Sequence, residues 1–292
     1  MIIDLHTHTG YSYDAEKRGV SDHVQAAIQK GVDVLGFTEH VDFFYQESLS
    51  EADFESGTVD FQMYWNELAP FRCGRVIQAD IAAQQKDIDT CRENSQGNIV
   101  LRKGVEIGQP HAAPDLADQL MEMYRFDYII GSIHHLADDM DLYFIHYETK
   151  HTDEFMRDYF DEINKMLQYG KFHILGHLDY PLRVMKLPHN RPSLRGYMDY
   201  VDEILKKLIA QGIALESNAK SLFGWQKQVG PEDFVLQRYR ELGGELITVG
   251  SDSHAPETMA RGIPEAIERL KQAGFRYITD FEEGKPIQRA IR

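Results

Sequence analysis

The sequence has few cysteines, and it lacks both a long apolar run and a basic leader. Its 292 residues include only Cys73 and Cys91, whose spacing fits neither a metal site nor a disulfide framework. Chains of this kind are typical of a reducing compartment, so we expect a cytoplasmic protein without a signal peptide. No segment approaches the roughly 20 apolar residues that a membrane-spanning helix needs.

Positive charge is also scarce. The 31 lysines and arginines stand against 47 acidic residues, which gives a net charge of −16. Long nucleic acids and anionic membranes are bound by basic faces, so both are excluded as general partners. A small phosphorylated substrate stays compatible with this charge, because metal ions and arginines can dominate the field of one local site.

Short apolar runs alternate with longer helical patterns along the chain. Strands are predicted at 2–5, 34–37, 99–105, 128–131, 173–175, 213–215, 246–249 and 276–278, and helices at 21–30, 115–124, 152–169, 193–211, 231–242 and 264–273. Ser21 and Thr152 are expected N-caps, and a glycine follows most of the helical patterns (Gly31, Gly170, Gly212, Gly243 and Gly274). This alternation predicts a parallel sheet with helical crossovers, and seven or eight such units suggest closure into a barrel.

The stretch at 41–98 interrupts this rhythm and is too long for an ordinary connection. A helix is predicted at 82–94, and aromatic residues could pack locally around it. Two interpretations stay open: a surface excursion with its own small core, or a lid over the mouth of the barrel. We find no linker that divides the chain, so residues 1–292 are expected to form one domain with an insertion.

Side chains that bind metal ions follow almost every predicted strand. Two of them, His6 and His8, are two residues apart after the first strand, so in an extended segment both face the same side. Catalytic groups of α/β barrels lie at the carboxyl ends of the strands. The sequence therefore predicts one metal-binding site formed by nine residues: His6, His8, Asp14, His40, Glu106, His134, His177, Asp252 and His254.

The number of candidate ligands suggests more than one ion. A catalytic zinc takes about three protein ligands plus water, so nine residues fit about three ions if a carboxylate bridges two of them. Our assignment gives the first ion His6, His8, Glu106 and Asp252, the second Glu106, His134 and His177, and the third Asp14, His40 and His254. Two ions about 3.5–4 Å apart can stabilise both the attacking and the leaving oxygen of an in-line displacement.

Six short segments, taken together and in order, resemble a known superfamily. They are Asp-Leu-His-Thr-His-Thr (4–9), Thr-Glu-His (38–40), Gly-Val-Glu-Ile-Gly (104–108), Ser-Ile-His-His (132–135), Gly-His-Leu-Asp (176–179) and Ser-Asp-Ser-His (251–254). This set resembles the PHP (polymerase and histidinol phosphatase) superfamily, and within it most of all the monofunctional histidinol-phosphatase branch. Asp14 stands where some members place a histidine.

The resemblance implies a fold and an activity. The fold would be a distorted (β/α)7 TIM-like barrel with a trinuclear centre of Zn, Fe or Mn. The activity would be hydrolysis of L-histidinol phosphate to L-histidinol in histidine biosynthesis, by a metal-bound hydroxide that attacks phosphorus in line with the ester oxygen. We expect Asp252 or His254 to be the catalytic group near the leaving alkoxide.

Arginine is the usual bidentate partner of phosphate. Arg183, which closely follows the 176–179 segment, is the first candidate for substrate binding. Further candidates fall near or after later strands: Arg157, Arg191, Arg195 and Asn218. Glu39 is a candidate for orienting a ligand, and His135 is expected to play a supporting or core role.

Three other functions compete with this interpretation. A related phosphoesterase could act on a nucleotide, an oligonucleotide or a phosphopeptide. An amidohydrolase-like C–N hydrolase also begins with His-x-His on a metal barrel, but that class commonly uses a modified lysine where Glu106 stands here. A regulatory module with a structural metal is the fourth possibility, although structural sites are closed and typically four-coordinate.

Overall fold

Parallel strands form a ring in this computed structural model, which describes residues 1–49, 61–95, 97–149, 151–187 and 192–291. The strands of the ring and its extension are β1 (Ile3–Asp4), β2 (Val34–Phe37), β3 (His40–Phe43), β4 (Arg72–Cys73), β5 (Val76–Gln78), β6 (Val100–Gly108), β7 (Tyr128–Ser132), β8 (Ile174–Leu175), β9 (Ala214–Asn218) and β10 (Ile247–Gly250). The order β10-β9-β8-β7-β6 continues through β2 to β1, and a branch from β6 runs through β3 and β5 to β4. Both β2 and β3 pair with β6, so they occupy one strand position.

The ring closes between its first and last strands. The Leu5 amide donates to the Val249 carbonyl at 3.0 Å, and the Asp252 amide donates to the His6 carbonyl at 2.8 Å. Seven strand positions therefore surround the core, and the distorted (β/α)7 barrel is confirmed. Every residue of β7 is buried, as expected for a parallel strand covered on both faces.

Helices alternate with these strands and pack around the ring. They are α1 (Val20–Gln29), α2 (Phe61–Glu67), α3 (Ile81–Asn94), α4 (Pro114–Met123), α5 (Thr152–Tyr169), α6 (Tyr180–Val184), α7 (Met198–Gln211), α8 (Asp233–Glu241) and α9 (Ile263–Gln272). The glycines predicted to end helices all have positive φ angles, between 68° and 93°. Among the described residues, no helix has the length and apolar character required to cross a membrane.

Both predicted N-caps were wrong. The N-cap of α1 is Gly19, so Ser21 lies in the first turn; the Asp22 carboxylate accepts the Gly19 N–H at 3.2 Å and caps the helix from inside. The N-cap of α5 is His151, one residue before Thr152.

The strand predicted at 276–278 is not an eighth barrel unit. It belongs to β11 (Tyr277–Glu282), which pairs antiparallel with β12 (Lys285–Ala290) in a separate hairpin. The side chain of Arg102 on β6 donates to both oxygens of Asp280, at 3.1 and 2.9 Å, and ties the hairpin to the barrel.

The segment predicted as an insertion adds two strands to the sheet: β5 pairs antiparallel with β3, and β4 pairs antiparallel with β5. Residues 50–60 and 96 of this segment lie outside the described part of the chain. A small apolar cluster joins it to the loop after β7, formed by Phe44, Leu49, Tyr64, Leu68, Ile77 and Phe144. Residues of α2 and of the turn after it also line the cavity at the mouth of the barrel. The structure thus shows features of both interpretations, a local core and a cover over the mouth.

Candidate metal centre

A cavity of about 1050 Å³ opens at the carboxyl ends of the barrel strands. We call it the cup. Its floor contains Glu106, His134, His177 and Asp252, and its wall includes residues of α2 and of the loop after β7. Because parallel strands deliver their carboxyl ends to one side of the barrel, residues that are remote in sequence meet here.

Glu106, at the end of β6, is the centre of the cup floor and is completely buried. Its Oε1 lies 2.9 Å from His177 Nε2 and 3.3 Å from His134 Nε2. Its Oε2 lies 3.0 Å from His40 Nδ1 and 3.2 Å from His6 Nε2. Oε2 also lies 3.6 Å from His8 Nε2, so one carboxylate faces five imidazoles, two through Oε1 and three through Oε2.

The remaining predicted ligands form the second half of the floor. The ring of His8 lies 4.2 Å from that of His40 and 4.3 Å from that of His254, centroid to centroid. Asp14 Oδ2 lies 2.9 Å from His254 Nε2 and 3.5 Å from His40 Nε2. Asp252 Oδ1 lies 3.6 Å from His8 Nε2. The structure thus brings all nine predicted residues into one cluster.

Two carboxylates that the sequence analysis missed fix the orientation of imidazoles. Glu216 Oε1 lies 2.6 Å from His6 Nδ1, and Asp42 Oδ1 lies 2.6 Å from His134 Nδ1. Each contact occupies one ring nitrogen, so the Nε2 atom turns towards Glu106. A signal was present in the sequence, since Asp42 is two residues after His40 and shares its strand face.

Glu39 orders the loop that carries His8. Its carboxylate accepts hydrogen bonds from the Thr9 and Ser12 hydroxyls, both at 2.7 Å, and Ser12 Oγ lies 3.5 Å from His8 Nδ1. His135, as expected, stays out of the cluster and stacks on Phe44 with ring centroids 4.7 Å apart.

The electrostatics of the floor follow from this geometry. Burial opposes the charge of Glu106, but the surrounding His6, His134 and His40 outweigh it and hold the pKa of the carboxyl well below its usual range. His8 has the opposite balance, because burial and the neighbouring His40 and His254 hold its pKa well below the ordinary value. The floor thus holds an ionised Glu106 and a neutral His8, the protonation states in which both groups bind metal ions. Burial opposes the charge of His6, His40 and His134, but neighbouring carboxylates outweigh it and raise the pKa of each ring, so these rings must lose a proton when an ion binds.

Several buried nitrogen and oxygen atoms on the floor make no hydrogen bond with a described residue: His6 Nε2, His8 Nε2, His40 Nδ1 and Glu106 Oε2. Buried polar atoms are costly without a partner, so a ligand between them is expected. Four sets of ligand atoms lie within 4.8 Å of one another: His6, His8 and Glu106; Glu106, His134 and His177; His8, His40 and His254; and His40, Asp42 and His134. Imidazole and carboxylate sets of this kind fit zinc, iron or manganese.

The predicted substrate-binding residues divide into two groups. Arg183 lines the cup, and its guanidinium donates to Asp252 Oδ2 at 2.6 Å and to Asn218 Oδ1 at 2.8 Å. Asn218 is buried and also lies 3.3 Å from the same Asp252 oxygen. The structure does not bring Arg157 or Arg195 to the cup, and Arg191 lies outside the described residues.

Arg157 and Arg195 are exposed, and each lies beside an aromatic side chain away from the cup. Arg157 donates to the Tyr200 hydroxyl at 3.3 Å, and the guanidinium of Arg195 lies 4.1 Å from the ring centroid of Phe234. Lys220, which the sequence analysis missed, takes a place in the cup instead. Its Nζ donates to the Asp252 carbonyl at 2.7 Å and lies 2.9 Å from His254 Nδ1.

Comparisons with known proteins agree with this geometry. The family model described as PHP domain matches residues 4–220. A Lactococcus lactis protein named histidinol-phosphatase is 26% identical over 285 residues, covering 96% of this chain and 94% of the relative. A Thermotoga maritima protein named "Probable histidinol-phosphatase" is 26% identical over 277 residues, covering 95% and 94%.

A solved structure shares the fold. The crystal structure of histidinol phosphate phosphatase from Lactococcus lactis, complexed with Zn, L-histidinol and phosphate, superimposes with a TM-score of 0.78. The match covers 98% of each chain at 24% sequence identity.

Proposed function

Because the chain belongs to the PHP domain family, we propose that it is a metal-dependent phosphomonoesterase that hydrolyses L-histidinol phosphate to L-histidinol and phosphate. The observation that carries this proposal is the cluster of imidazoles and carboxylates around Glu106 at the strand ends of the barrel. Relatives matched over nearly the whole chain bear the histidinol-phosphatase name, which supports the substrate.

Divalent ions in this cluster are the second part of the proposal. We assign about three ions to it, of zinc, iron or manganese, because nine donors supply about three each. The first would be held by His6, His8, Glu106 and Asp252, the second by Glu106, His134 and His177, and the third by Asp14, His40 and His254. Such ions, when bound, neutralise the charge of a phosphate and lower the pKa of water towards about 7.

Arg183 and Lys220 supply the protein's own positive charge on one side of the cup. Arg183 is fixed by Asp252 and Asn218, so its guanidinium is already oriented before substrate binds. A guanidinium can hold two phosphate oxygens at once, and we assign it that role here.

We place the proton donor for the leaving alkoxide in the pair of Asp252 and His254. Asp252 Oδ2 accepts hydrogen bonds from Arg183 and Asn218, as an ionised carboxylate does. His254 is therefore the better placed of the two, and a proton that it delivers would leave from the ring nitrogen that does not hold the third ion. Its side chain is 20% exposed, the most open of the imidazoles in the cluster, and its Nε2 lies beside Asp14.

The proposed setting is the cytoplasm, with a small phosphorylated molecule as partner. Cys73 and Cys91 are free thiols, as proteins of reducing compartments have. The net charge of −16 opposes binding to long nucleic acids.

A substrate panel combined with elemental analysis tests this proposal. The purified protein should contain transition metal, hydrolyse L-histidinol phosphate faster than AMP, p-nitrophenyl phosphate or a phosphoserine peptide, and lose activity on chelation. Equal rates on all four compounds would reject the substrate and leave the metal chemistry intact. Full activity after the metal has been removed would reject the metal chemistry.

A further inference from the structure

Asp141 is a buried carboxylate on the wall of the cup, and it forms no ion pair with a described residue. It precedes the short 3-10 turn Leu142–Phe144 that follows β7, and it is only 7% exposed. Its Oδ1 accepts the Tyr143 N–H at 2.8 Å, whereas Oδ2 accepts no hydrogen bond from the described residues. Burial raises the pKa of this carboxyl to about 6. A buried carboxylate with a single backbone partner is costly unless a cation pairs with it.

Aromatic side chains line the cup around this carboxylate. Tyr13, Tyr147 and Tyr180 all belong to the cup wall. Burial and then the charge of Asp141 raise the pKa of the Tyr147 and Tyr180 hydroxyls, whereas burial, Asp42 and Asp14 contribute more than Asp141 at Tyr13. Aromatic faces beside a carboxylate attract organic cations through both the ring quadrupole and the ion pair. The surroundings of Asp141 therefore suit a ligand's ammonium group.

Tyr180 connects this region to the proposed phosphate-binding side. The guanidinium carbon of Arg183 lies 5.3 Å from the Tyr180 ring centroid. The same ring lies 4.9 Å from the ring of His177 on the cup floor. Tyr180 thus contacts the cationic side of the cup and is also close enough to Asp141 for that charge to raise the pKa of its buried hydroxyl. A small molecule that carries a phosphate and, a few bonds away, an ammonium group matches this distribution of charge.

We propose that Asp141 determines specificity by binding the α-ammonium group of the substrate. The proposal rests on the proposed function and deepens it, because L-histidinol phosphate carries an amine on the carbon next to its phosphate-bearing carbon. Glu67 and Glu148 also line the cup, but both are exposed, so water competes for their charge. Asp141 is buried, and an ion pair at its position is worth more.

The test compares two substrates that differ only in the amine: L-histidinol phosphate and 3-(imidazol-4-yl)propyl phosphate. The wild-type enzyme should prefer the first. In Asp141→Asn, kcat/KM for L-histidinol phosphate should fall about 10- to 100-fold, mainly through KM, because a buried charge-assisted contact is lost. The same variant should change by less than about threefold on the compound without the amine, because nothing there contacts Asp141.

Two further variants make the result interpretable. Asp141→Ser can still accept the Tyr143 N–H at the start of the turn, so it provides a second neutral variant if the asparagine does not fold. Glu148→Gln removes an exposed carboxylate from the same wall and should leave the substrate preference unchanged. Titration calorimetry with L-histidinol gives a readout independent of turnover, and Kd should rise about 10- to 100-fold only in the Asp141 variants.

Each other outcome overturns a defined part of the proposal. Equal losses on both substrates would show that Asp141 acts on structure or on the metal centre, and unchanged kinetics would show that it does not bind substrate. A wild-type enzyme without preference for the amine would also reject the inference while leaving the phosphatase activity in place. Failure of the wild type to hydrolyse L-histidinol phosphate would reject the proposed function, and the inference with it.

Discussion

Glu216 Oε1, on β9, lies 2.6 Å from Nδ1 of His6, which follows β1, although the two residues are 210 positions apart in sequence. The Glu216 carboxylate also accepts the His177 N–H at 2.8 Å through its other oxygen. The buried Glu216 side chain thus orients the ring of His6 after β1 and the backbone of His177 after β8. Glu216 contributes to the centre by holding two candidate ligands in place.

Glu216→Gln should weaken the centre without removing a ligand. The amide keeps the shape of the side chain but loses the negative charge that fixes the orientation of His6. Supporting carboxylates of this kind are worth about 10- to 100-fold in metal affinity or activity. Metal affinity can be measured by competition with a chromophoric chelator, and an affinity equal to that of the wild type would contradict the role of Glu216.

Arg183→Ala should lower kcat/KM by about 100-fold, since loss of one oriented charged donor has effects of this size. Inhibition by inorganic phosphate should weaken in parallel. Arg157→Ala is the matched control, because Arg157 is exposed and contacts Tyr200 instead of the cup. Similar losses in both variants would refute the assignment of the phosphate-binding role to Arg183.

Glu162 on α5 should stabilise the fold in a pH-dependent manner. Burial opposes its charge, but hydrogen bonds from His111, Lys165 and Tyr45 outweigh this and lower its pKa to about 2. A depressed folded-state pKa stabilises the protein above the unfolded-state pKa of about 4.3, and that stability is lost as the pH falls towards about 2.

Urea unfolding of Glu162→Gln across this range checks the prediction. The variant should be less stable than the wild type by about 3 kcal/mol at pH 7, and the difference should shrink steadily below about pH 4.3. A difference that stays constant with pH would mean that the carboxylate charge contributes nothing.

Gly250→Ala should disturb the centre by crowding. A Cβ atom at Gly250 would overlap both the Cβ atom of His6 and the Oε1 atom of Glu216. Overpacking of this kind costs about 1–3 kcal/mol, and we expect reduced metal content besides the lower thermal stability. Gly196 has open space where its Cβ would lie, so Gly196→Ala serves as the control. Equal stability of the two variants would count against this packing account.

Much of the barrel could be predicted from the sequence because its strands are buried on both faces. The prediction at 34–37 coincides with β2, and α5 has the predicted bounds of 152 and 169. Hydrophobic runs and helix periodicity are local signals, so they can be recognised without knowledge of the fold. The hairpin of β11 and β12 was missed because its pairing depends on a chain reversal at Glu283 and Gly284, not on a run of apolar residues.

The cluster was predictable for a different reason. Ligand-type residues at strand ends converge in any closed parallel barrel, and the rule requires no distances. The sequence did not predict that Lys220 and Asp141 line the cup, because both lie after the strand ends, in turns whose path the sequence does not specify. Arg157 was wrongly predicted to bind substrate. It lies on α5, and proximity to a strand in sequence does not place a helical side chain in the cup.

The metal content of Glu106→Gln tests the central claim most directly. Glu106 faces five imidazoles, so its substitution should affect at least two of the proposed ions at once. Elemental analysis of the folded proteins should find about three transition-metal ions per wild-type chain and one or none in the variant, which should also be inactive. A folded Glu106→Gln protein with the full metal content and wild-type hydrolysis of L-histidinol phosphate would contradict the account.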